Sequence, residues 1–467
     1  MTFWKKNKLL ILSIAFVYTC AFFYISVLDA ALFSDFGYPV HNGGDSSEYA
    51  ILSQNVAERG MYTLAPDSFV PEMFRAPGYS AFLVPLFLLD ESFFLAIVAQ
   101  IFLTIGSALL MYRIGVELLP PVWAFVSTLL FVFDPTTIFY SLSIWSDTLF
   151  VCMLLASVYL IFVREGHDWI RVALVGALLG GATLVRPAGG YLILIFALFF
   201  VATSFSQGIH FKKYILMVLV MILVYSTVLT PWYVRNFYYS NGSIGISSTG
   251  AHAILLYDVH DFLMMKNNHS SVEVNEEILA QLPTRDKDEL RNIQYVDEMM
   301  GVAKKYILQY PLEYGVYHLM GGVNLYLSSS IRDALNNLPV AHSTLQALSL
   351  VGSNETNVKA LFMQNPLKAV WFSLSQEPLL TLERILRLLT IALALGGLCF
   401  GLYYKKNRAR FLLVLCALLI VYTALVIGPV SYPRYRMSAE PFLFLIAGVG
   451  AVALLEKVRS KDRQPQT

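Results

Sequence analysis

The sequence has few charged residues, which make up 14% of its 467 positions. Soluble domains carry about 25% charged residues, so an ordinary soluble protein is excluded. Disorder is excluded as well, because 57% of the residues are hydrophobic and a chain of that composition has ample apolar surface to bury. The composition therefore predicts an integral membrane protein.

Cysteine and the common catalytic motifs are also scarce or absent. The four cysteines lie inside apolar runs, without the spacing of a disulfide framework or a metal site. The sequence contains no Walker loop, G-x-S-x-G elbow, H-E-x-x-H or C-x-x-C motif. The net charge of +1 argues against a nucleic-acid partner bound through a basic surface.

Long apolar segments are present instead, and they predict an all-α polytopic membrane protein with about ten transmembrane helices. The segments lie near residues 9–28, 93–112, 121–140, 146–163, 170–185, 189–206, 214–231, 385–403, 410–428 and 441–455. No small-residue cleavage site follows the first segment, so it is predicted to be a retained anchor. Basic clusters at 212–213, 405–410 and 457–463 place both termini in the cytoplasm.

This topology divides the chain into three parts. Residues 1–231 form a transmembrane module with a long first outer loop at 29–92, residues 232–384 form an outer soluble or interfacial region, and residues 385–467 contain the last helices and a cytoplasmic tail. Within the outer region, 272–310 is predicted to be helical and charged, and 311–330 to be interfacial. Long segments of this kind usually carry function.

The first outer loop contains two carboxylates one helical turn apart, Asp45 and Glu48, directly after Gly43 and Gly44. Asp45 or Ser46 would serve as the N-cap of the amphipathic helix that follows. Beside a membrane, the same pair could place a general base or hold a divalent cation. We therefore predict Asp45 and Glu48 as catalytic residues, with a divalent cation as a further expectation.

Several arginines lie at the outer ends of the predicted helices, where the positive-inside tendency should remove them. Each alone could be a snorkelling anchor. Together they predict an anionic ligand, most simply a phosphate held by guanidinium groups. The predicted substrate-binding residues in these segments are Arg75, Tyr79, Asp147, Arg186, Arg235, Arg434, Tyr435 and Arg436, with Arg186, Arg235 and Arg434 converging on the phosphate.

Taken in order, these segments resemble the GT-C superfamily of polyprenyl-phosphate-sugar glycosyltransferases, which includes lipid A aminoarabinose transferases and protein O-mannosyltransferases. The motifs that carry the resemblance are Gly44-Asp45-Ser46-Ser47-Glu48-Tyr49, Arg75-Ala76-Pro77-Gly78-Tyr79, Leu184-Val185-Arg186-Pro187, Pro231-Trp232-Tyr233-Val234-Arg235-Asn236, and Arg434-Tyr435-Arg436 followed by Glu440-Pro441.

The resemblance implies that Asp45 matches the catalytic aspartate of the first loop. Asp147 matches an acidic position in the second outer loop, with Asp134 as a competing candidate. It also implies a hexosyl- or pentosyltransferase that moves a sugar, with inversion, from a polyprenyl phosphate to a lipid, glycan or protein acceptor. The expected location is the plasma (inner) membrane with the active site facing outside, rather than the endoplasmic reticulum.

Two other functions remain open at this point. A lipid-linked sugar transporter or flippase would also need arginines, although spread along a path through the membrane. An O-antigen polymerase or ligase would handle lipid-linked glycans, but it gives no reason for carboxylates so early in the chain. The clustering of charges at the outer helix ends favours the glycosyltransferase.

Overall fold

The computed structural model describes residues 8, 12–14, 16–21, 44–65, 70–162, 169–206, 211–336, 343–346, 377–405 and 407–462. This part of the chain is helical and contains no strand, which confirms the all-α prediction. Most of the predicted first span and residues 29–43 of the first outer loop lie outside the described residues.

The rest of the first outer loop forms two helices, α1 (Asp45–Arg59) and α2 (Gly78–Leu89). The amphipathic helix that the sequence indicates after Asp45 is therefore confirmed. Helix α2 is apolar and was not expected, because its 12 residues include Pro85 and are too few for the roughly 20 that define a spanning segment.

The described residues of the membrane module continue with further α-helices. They are α3 (Phe94–Gly115), α4 (Pro121–Val132), α5 (Pro135–Ser141), α6 (Asp147–Phe162), α7 (Trp169–Val185), α8 (Leu192–Ser206) and α9 (Phe211–Tyr239). Among the described residues of the whole chain, five helices are long and apolar enough to cross a membrane, or six if the pair α4 and α5, bent by 60°, counts as one. The count of ten spans stays a prediction.

The outer region has a small apolar core of its own. It contains α10 (Thr249–Ala253), a π-helical turn (Ile254–Val259), α11 (His260–Asn267), α12 (Ser271–Leu279), α13 (Val296–Gln309), α14 (Pro311–Leu327) and α15 (Ser330–Asn336). Buried side chains from α10 to α14, such as Leu255, Phe262, Ile278 and Met299, form this core. The helix predicted over 272–310 is thus divided in two, because the 3-10 turns at Glu289–Arg291 and Ile293–Tyr295 interrupt it.

The last part of the chain contains α16 (Pro378–Tyr404), α17 (Asn407–Ile427), α18 (Pro433–Arg436) and α19 (Glu440–Asp462). Helix α14 packs along the end of α17, where the Tyr326 hydroxyl donates to the Ile420 carbonyl at 2.6 Å. The side chain of Asn324 also donates to Ser431 just beyond α17, at 2.7 Å. These contacts tie the outer region to the ends of the C-terminal helices.

Candidate active site

Asp45 is the first residue of α1, and its carboxylate contacts two arginines. Arg75 lies 2.6 Å from Oδ1 and Arg434 lies 2.8 Å from Oδ2. Gly44 occupies the N-cap position with a φ of 77°, and no side chain caps the helix there. The interpretation of Asp45 or Ser46 as an ordinary N-cap is therefore wrong, since the Asp45 carboxylate binds guanidinium groups instead.

Arg75 is held in place by the loop that precedes α2. The Glu72 carboxylate accepts hydrogen bonds from the backbone N–H groups of Phe74 and Arg75, at 2.7 and 2.9 Å. At Gly78 an added Cβ would lie 2.6 Å from the backbone carbon of Leu184, so only glycine allows the loop to approach the end of α7 so closely. This approach brings the loop that carries Arg75 to the end of α7, next to Arg186.

Glu48 is bound by an arginine that sequence reasoning missed. Arg291 donates to Oε1 and Oε2 of Glu48 at 2.8 and 2.9 Å, in the bidentate geometry that favours strong ion pairs. Arg75 Nε lies 2.5 Å from the same carboxylate. Arg291 lies in a polar, charged part of the outer region that contains no motif. Its contact with Glu48 is seen only in the folded structure.

Asp147 joins the same group of charges from the start of α6. It forms an ion pair with Arg186, and its Oδ2 lies 3.9 Å from Arg434 Nε. Asp134, the competing candidate, pairs with Arg387 and caps α5 through the Thr136 N–H instead. The geometry therefore favours Asp147 as the second carboxylate.

Eight charged residues are joined by these ion pairs, and we call them the site cluster. Its members are Asp45, Glu48, Glu72 and Asp147, with Arg75, Arg186, Arg291 and Arg434. Four carboxylates balance four guanidinium groups, so the formal charge is zero. An added anion would have to compete with a carboxylate for a cation.

The electrostatic environment keeps Asp45 and Glu48 ionised. Burial raises the pKa of Asp45, but the charges of Arg434 and Arg75 outweigh it and lower the pKa to about 2. Burial likewise raises the pKa of Glu48, and the contacts with Arg291 and Arg75 bring it below its ordinary value. Asp45 and Glu48 nevertheless keep 26% and 18% of their side-chain surface exposed.

Aromatic rings and an apolar groove lie beside the site cluster. The Arg434 guanidinium stacks over Trp145 at 4.3 Å and over Tyr435 at 4.6 Å, and Arg186 lies 5.3 Å from the Tyr435 ring. Arg186 and Tyr435 also line a groove. Its other walls are mostly apolar side chains of α6, α8 and α17, including Leu154, Leu192, Leu419 and Val426.

Three predicted substrate-binding residues lie elsewhere, and their interpretation is corrected here. Arg436 is fully buried and Tyr79 is also fully buried, with its hydroxyl donating to Gln100 at 2.8 Å, so neither presents a surface to a ligand. Arg235 donates to the Glu72 carbonyl at 2.7 Å and stacks on Trp232 at 4.5 Å. Arg186 and Arg434 therefore meet at Asp147, and Arg235 does not join them, while the convergence on a phosphate stays a prediction.

Asp333 is a second residue of the outer region that sequence reasoning missed. It lies on α15, which contacts α5 and α18, and it interacts electrostatically with Arg434 and Asp147. Burial raises its pKa to about 6, although a hydrogen bond with Tyr140 acts in the opposite direction. The outer region thus contributes both a cation and an acid to the surroundings of Asp45.

The site cluster does not have the composition of a divalent-cation site. No three His, Cys, Asp or Glu side chains come together within the described residues in a way that could hold a metal ion. Asp45 and Glu48 are both bound by Arg75, and a cation between them would face that guanidinium group. The divalent cation stays a prediction that these contacts do not favour.

Comparisons with known proteins agree with the resemblance seen in the motifs. Residues 75–233 match a family model described as dolichyl-phosphate-mannose-protein mannosyltransferase. This segment begins at Arg75 and contains Asp147 and Arg186. The match confirms the resemblance to GT-C glycosyltransferases for this part of the chain, and no curated protein matches the sequence.

Two solved structures resemble this chain at low sequence identity. The oligosaccharyltransferase AglB of Archaeoglobus fulgidus, solved with an inhibitory peptide and a dolichol-phosphate, has 13% identity and a TM-score of 0.48; the match covers 99% of this chain and 52% of that one. ArnT of Cupriavidus metallidurans in the apo state has 13% identity and a TM-score of 0.36, with 97% and 82% covered. This chain therefore spans about half the length of AglB, and neither likeness assigns it an activity.

Proposed function

We propose that this protein is a membrane glycosyltransferase that moves a sugar from a polyprenyl phosphate to an acceptor, with Asp45 as the general base. One observation carries the proposal. A partly exposed aspartate meets two arginines at the end of a helical bundle, and one of them also reaches Asp147 beside an apolar groove. The family match over residues 75–233 supports the same function.

The donor site that we propose is the groove together with Arg186 and Arg434. An isoprenoid chain suits the apolar walls formed by α6, α8 and α17. Its phosphate would lie at the Arg186 end and accept hydrogen bonds from the guanidinium groups that now bind Asp147. Because the site cluster has no formal excess of positive charge, binding requires this exchange of partners.

The same exchange would tune the general base. A carboxylate with a pKa of about 2 is a weak base at neutral pH. Arg434 is the leading charge that lowers the pKa of Asp45. When the phosphate engages Arg434, this effect weakens and Asp45 becomes more basic, so donor binding would prepare the base for the next step.

In the reaction, an acceptor hydroxyl attacks the anomeric carbon while the bond from that carbon to the phosphate oxygen breaks. Asp45 takes the hydroxyl proton, and the lipid phosphate leaves as an anion. Arg186 and Arg434 stabilise the charge that develops on this leaving group, which is usually the largest catalytic contribution. Inversion at the anomeric carbon follows from a single displacement.

The proposed location is a bacterial plasma membrane, with both termini inside and the site outside. The arrangement is tested with single cysteines at Lys304 on α13 and Arg459 on α19, which are both exposed. An impermeant maleimide should label the cysteine at 304 in intact cells, but the cysteine at 459 only after lysis. The reverse pattern would place the site in the cytoplasm.

The activity is tested with purified protein in nanodiscs that contain undecaprenyl phosphate carrying a labelled hexose or pentose. Membranes from a deletion strain supply acceptors, and release of undecaprenyl phosphate is measured in parallel. Arg186→Ala should weaken donor binding, whereas Arg235→Ala, an outer-end arginine away from the groove, should change it little. Movement of the labelled lipid between leaflets without release of undecaprenyl phosphate would instead indicate a transporter.

A further inference from the structure

A second group of buried charges lies beside the site cluster, and we call it the anchor cluster. Its members are Asp134, Glu383, Arg387, Arg436 and Glu440. Arg387 lies 2.8 Å from Asp134, 3.1 Å from Glu383 and 3.1 Å from Glu440. Each member is at most 9% exposed, and none of them lines the groove beside the site cluster.

The anchor cluster fixes the start of α15, which carries Asp333. The Glu383 carboxylate accepts from the backbone N–H groups of Ser330 and Ile331 at 2.7 and 3.3 Å, a favourable place for an anion at the beginning of a helix. The Ser330 hydroxyl also accepts hydrogen bonds from Arg387 and Arg436. The first turn of α15 is therefore bound from three sides.

The same cluster fixes α18, which carries Arg434. Arg436, at the end of this helix, lies 2.7 Å from Glu440 Oε1 and donates to the carbonyls of Leu325 and Ser328 at 2.7 and 2.8 Å. A helix of four residues has no stability of its own. The contacts of Arg436 therefore help to set the direction in which Arg434 projects, together with the packing of α18 on its neighbouring helices.

We propose that the anchor cluster positions Arg434 and Asp333 for the site, and that Glu440 is its central positioning residue. Glu440 is central because its Oε1 binds both Arg387 and Arg436, which within the described residues are otherwise joined only through Ser330. The role of Arg434 toward a lipid phosphate rests on the proposed function. The positioning of Arg434 itself does not, and it can be measured separately.

The formal charges of the anchor cluster do not balance. Three carboxyl groups face two guanidinium groups, and an uncompensated charge in a buried site is costly. Glu440 Oε2 is buried and accepts no hydrogen bond within the part of the chain that the structure describes. We assign the proton that balances the cluster to this oxygen. A glutamine at position 440 would then reproduce the native charge.

The test measures the affinity of purified variants in nanodiscs for undecaprenyl phosphate. Glu440→Ala should weaken binding at least about tenfold, because small displacements of a binding group are costly, while Glu440→Gln should retain the affinity. Leu445→Ala is the matched control, since Leu445 is fully buried on the same helix but outside the cluster. It should lower the melting temperature and leave the affinity unchanged.

Equal loss of affinity in Glu440→Ala and Leu445→Ala, or normal affinity in Glu440→Ala, would overturn the inference. If Glu440→Ala does not fold, Ser330→Ala replaces it, because this change removes one hydroxyl that joins Arg387 to Arg436. A smaller loss of affinity in the same direction is expected there. An unchanged affinity in Ser330→Ala would count against the inference.

A second measurement does not depend on lipid binding. The Arg434 guanidinium lies over the Trp145 ring at 4.3 Å, so the fluorine resonance of 5-fluorotryptophan at position 145 reports its position. Glu440→Ala should shift this resonance toward that of Arg434→Ala, and Glu440→Gln and Leu445→Ala should not. An unchanged resonance in Glu440→Ala refutes the positioning role, whereas wild-type protein that binds no lipid phosphate refutes the proposed function alone.

Discussion

The two charge clusters use the same residue types but differ in what their arginines can still do. In the site cluster, four arginines balance four carboxylates, and the side chains of Asp45 and Arg291 keep 26% and 23% of their surface exposed. In the anchor cluster, two arginines face three carboxylates and are at most 9% exposed. Burial alone does not separate the two clusters, because Arg75, Arg434, Glu72 and Asp147 of the site cluster are also at most 9% exposed. The site cluster differs in having exposed surface at Asp45 and Arg291 and a groove beside Arg186.

Arg434 and Arg436 illustrate this difference within one short helix. Arg434 binds side chains, the Asp45 carboxylate and the Tyr435 hydroxyl, and it stacks on aromatic rings. Arg436 donates to two backbone carbonyls in addition to side chains, and none of its surface is exposed. Two residues of the same motif therefore belong to different functional classes.

The sharpest test of the comparison replaces one aspartate in each cluster with asparagine. Asp45→Asn should reduce sugar transfer by about a hundredfold to ten-thousandfold, which is typical for loss of a general base. The melting temperature should fall only moderately, because the side chain that loses its ion pairs with Arg75 and Arg434 is 26% exposed. Asp134→Asn should lower the melting temperature more, because it removes a buried partner of Arg387, and should reduce transfer less, through the position of Arg434. Transfer from undecaprenyl-phosphate-linked sugar and thermal unfolding are measured for both variants.

Near-normal turnover in folded Asp45→Asn would remove Asp45 from the mechanism. Equal loss of donor binding and turnover in that variant would instead make Asp45 an organiser of Arg75 and Arg434. If both asparagine variants lost stability to the same extent, the distinction between the two clusters would not hold.

Asp258 extends the comparison to a buried carboxyl group for which no arginine ion pair is found among the described residues. Burial, and then the charge of Asp261, raises its pKa from 3.8 to about 7. The folded chain therefore binds this proton more tightly than the unfolded chain, and the stability that it contributes falls as the pH rises between those two values. Asp258→Asn should stabilise the protein by a few kcal/mol at pH 8, roughly in line with the pKa shift.

The gain should shrink as the pH falls from 7 toward 4 and should be constant above pH 7. Melting temperatures of Asp258→Asn and wild type across this range test the prediction. Asp261→Asn is the control, because Asp261 is exposed and its removal should give a smaller gain of the same sign. A gain that does not vary with pH would mean that Asp258 does not titrate in this range.

The smallest expected effect concerns the link from the outer region to the site. Glu48→Gln keeps an acceptor for Arg291 and Arg75 but loses the charge, so turnover should fall by about tenfold or less, as for weakening one charged hydrogen bond. Arg291→Ala should have a similar effect. In the double variant the two losses should not add, because they remove the same contact; full additivity would show that the two residues act independently.

Much of the fold followed from the sequence because apolar segments of about 20 residues are a strong signal. Asp45, Glu48, Arg75, Asp147, Arg186 and Arg434 were among the predicted site residues, on the basis of their ordered motifs. Convergence was predicted only for Arg186, Arg235 and Arg434. Arg291 and Asp333 were not found, because their partners lie hundreds of residues away and no local pattern marks them. Helix α2 was missed because it is short, and Arg436 was assigned wrongly because sequence does not distinguish a buried arginine from an exposed one.

The contact between Asp45 and Arg434 joins residues that are 389 positions apart. A ribosome that adds about 5 to 20 residues per second needs roughly 20 to 80 s to reach Arg434 after Asp45 has been made. During that interval Asp45 lacks the arginine that most strongly lowers its pKa. Assembly of the site is thus one of the last events in biosynthesis. A chain that terminates before α18 is present in the membrane without an assembled site.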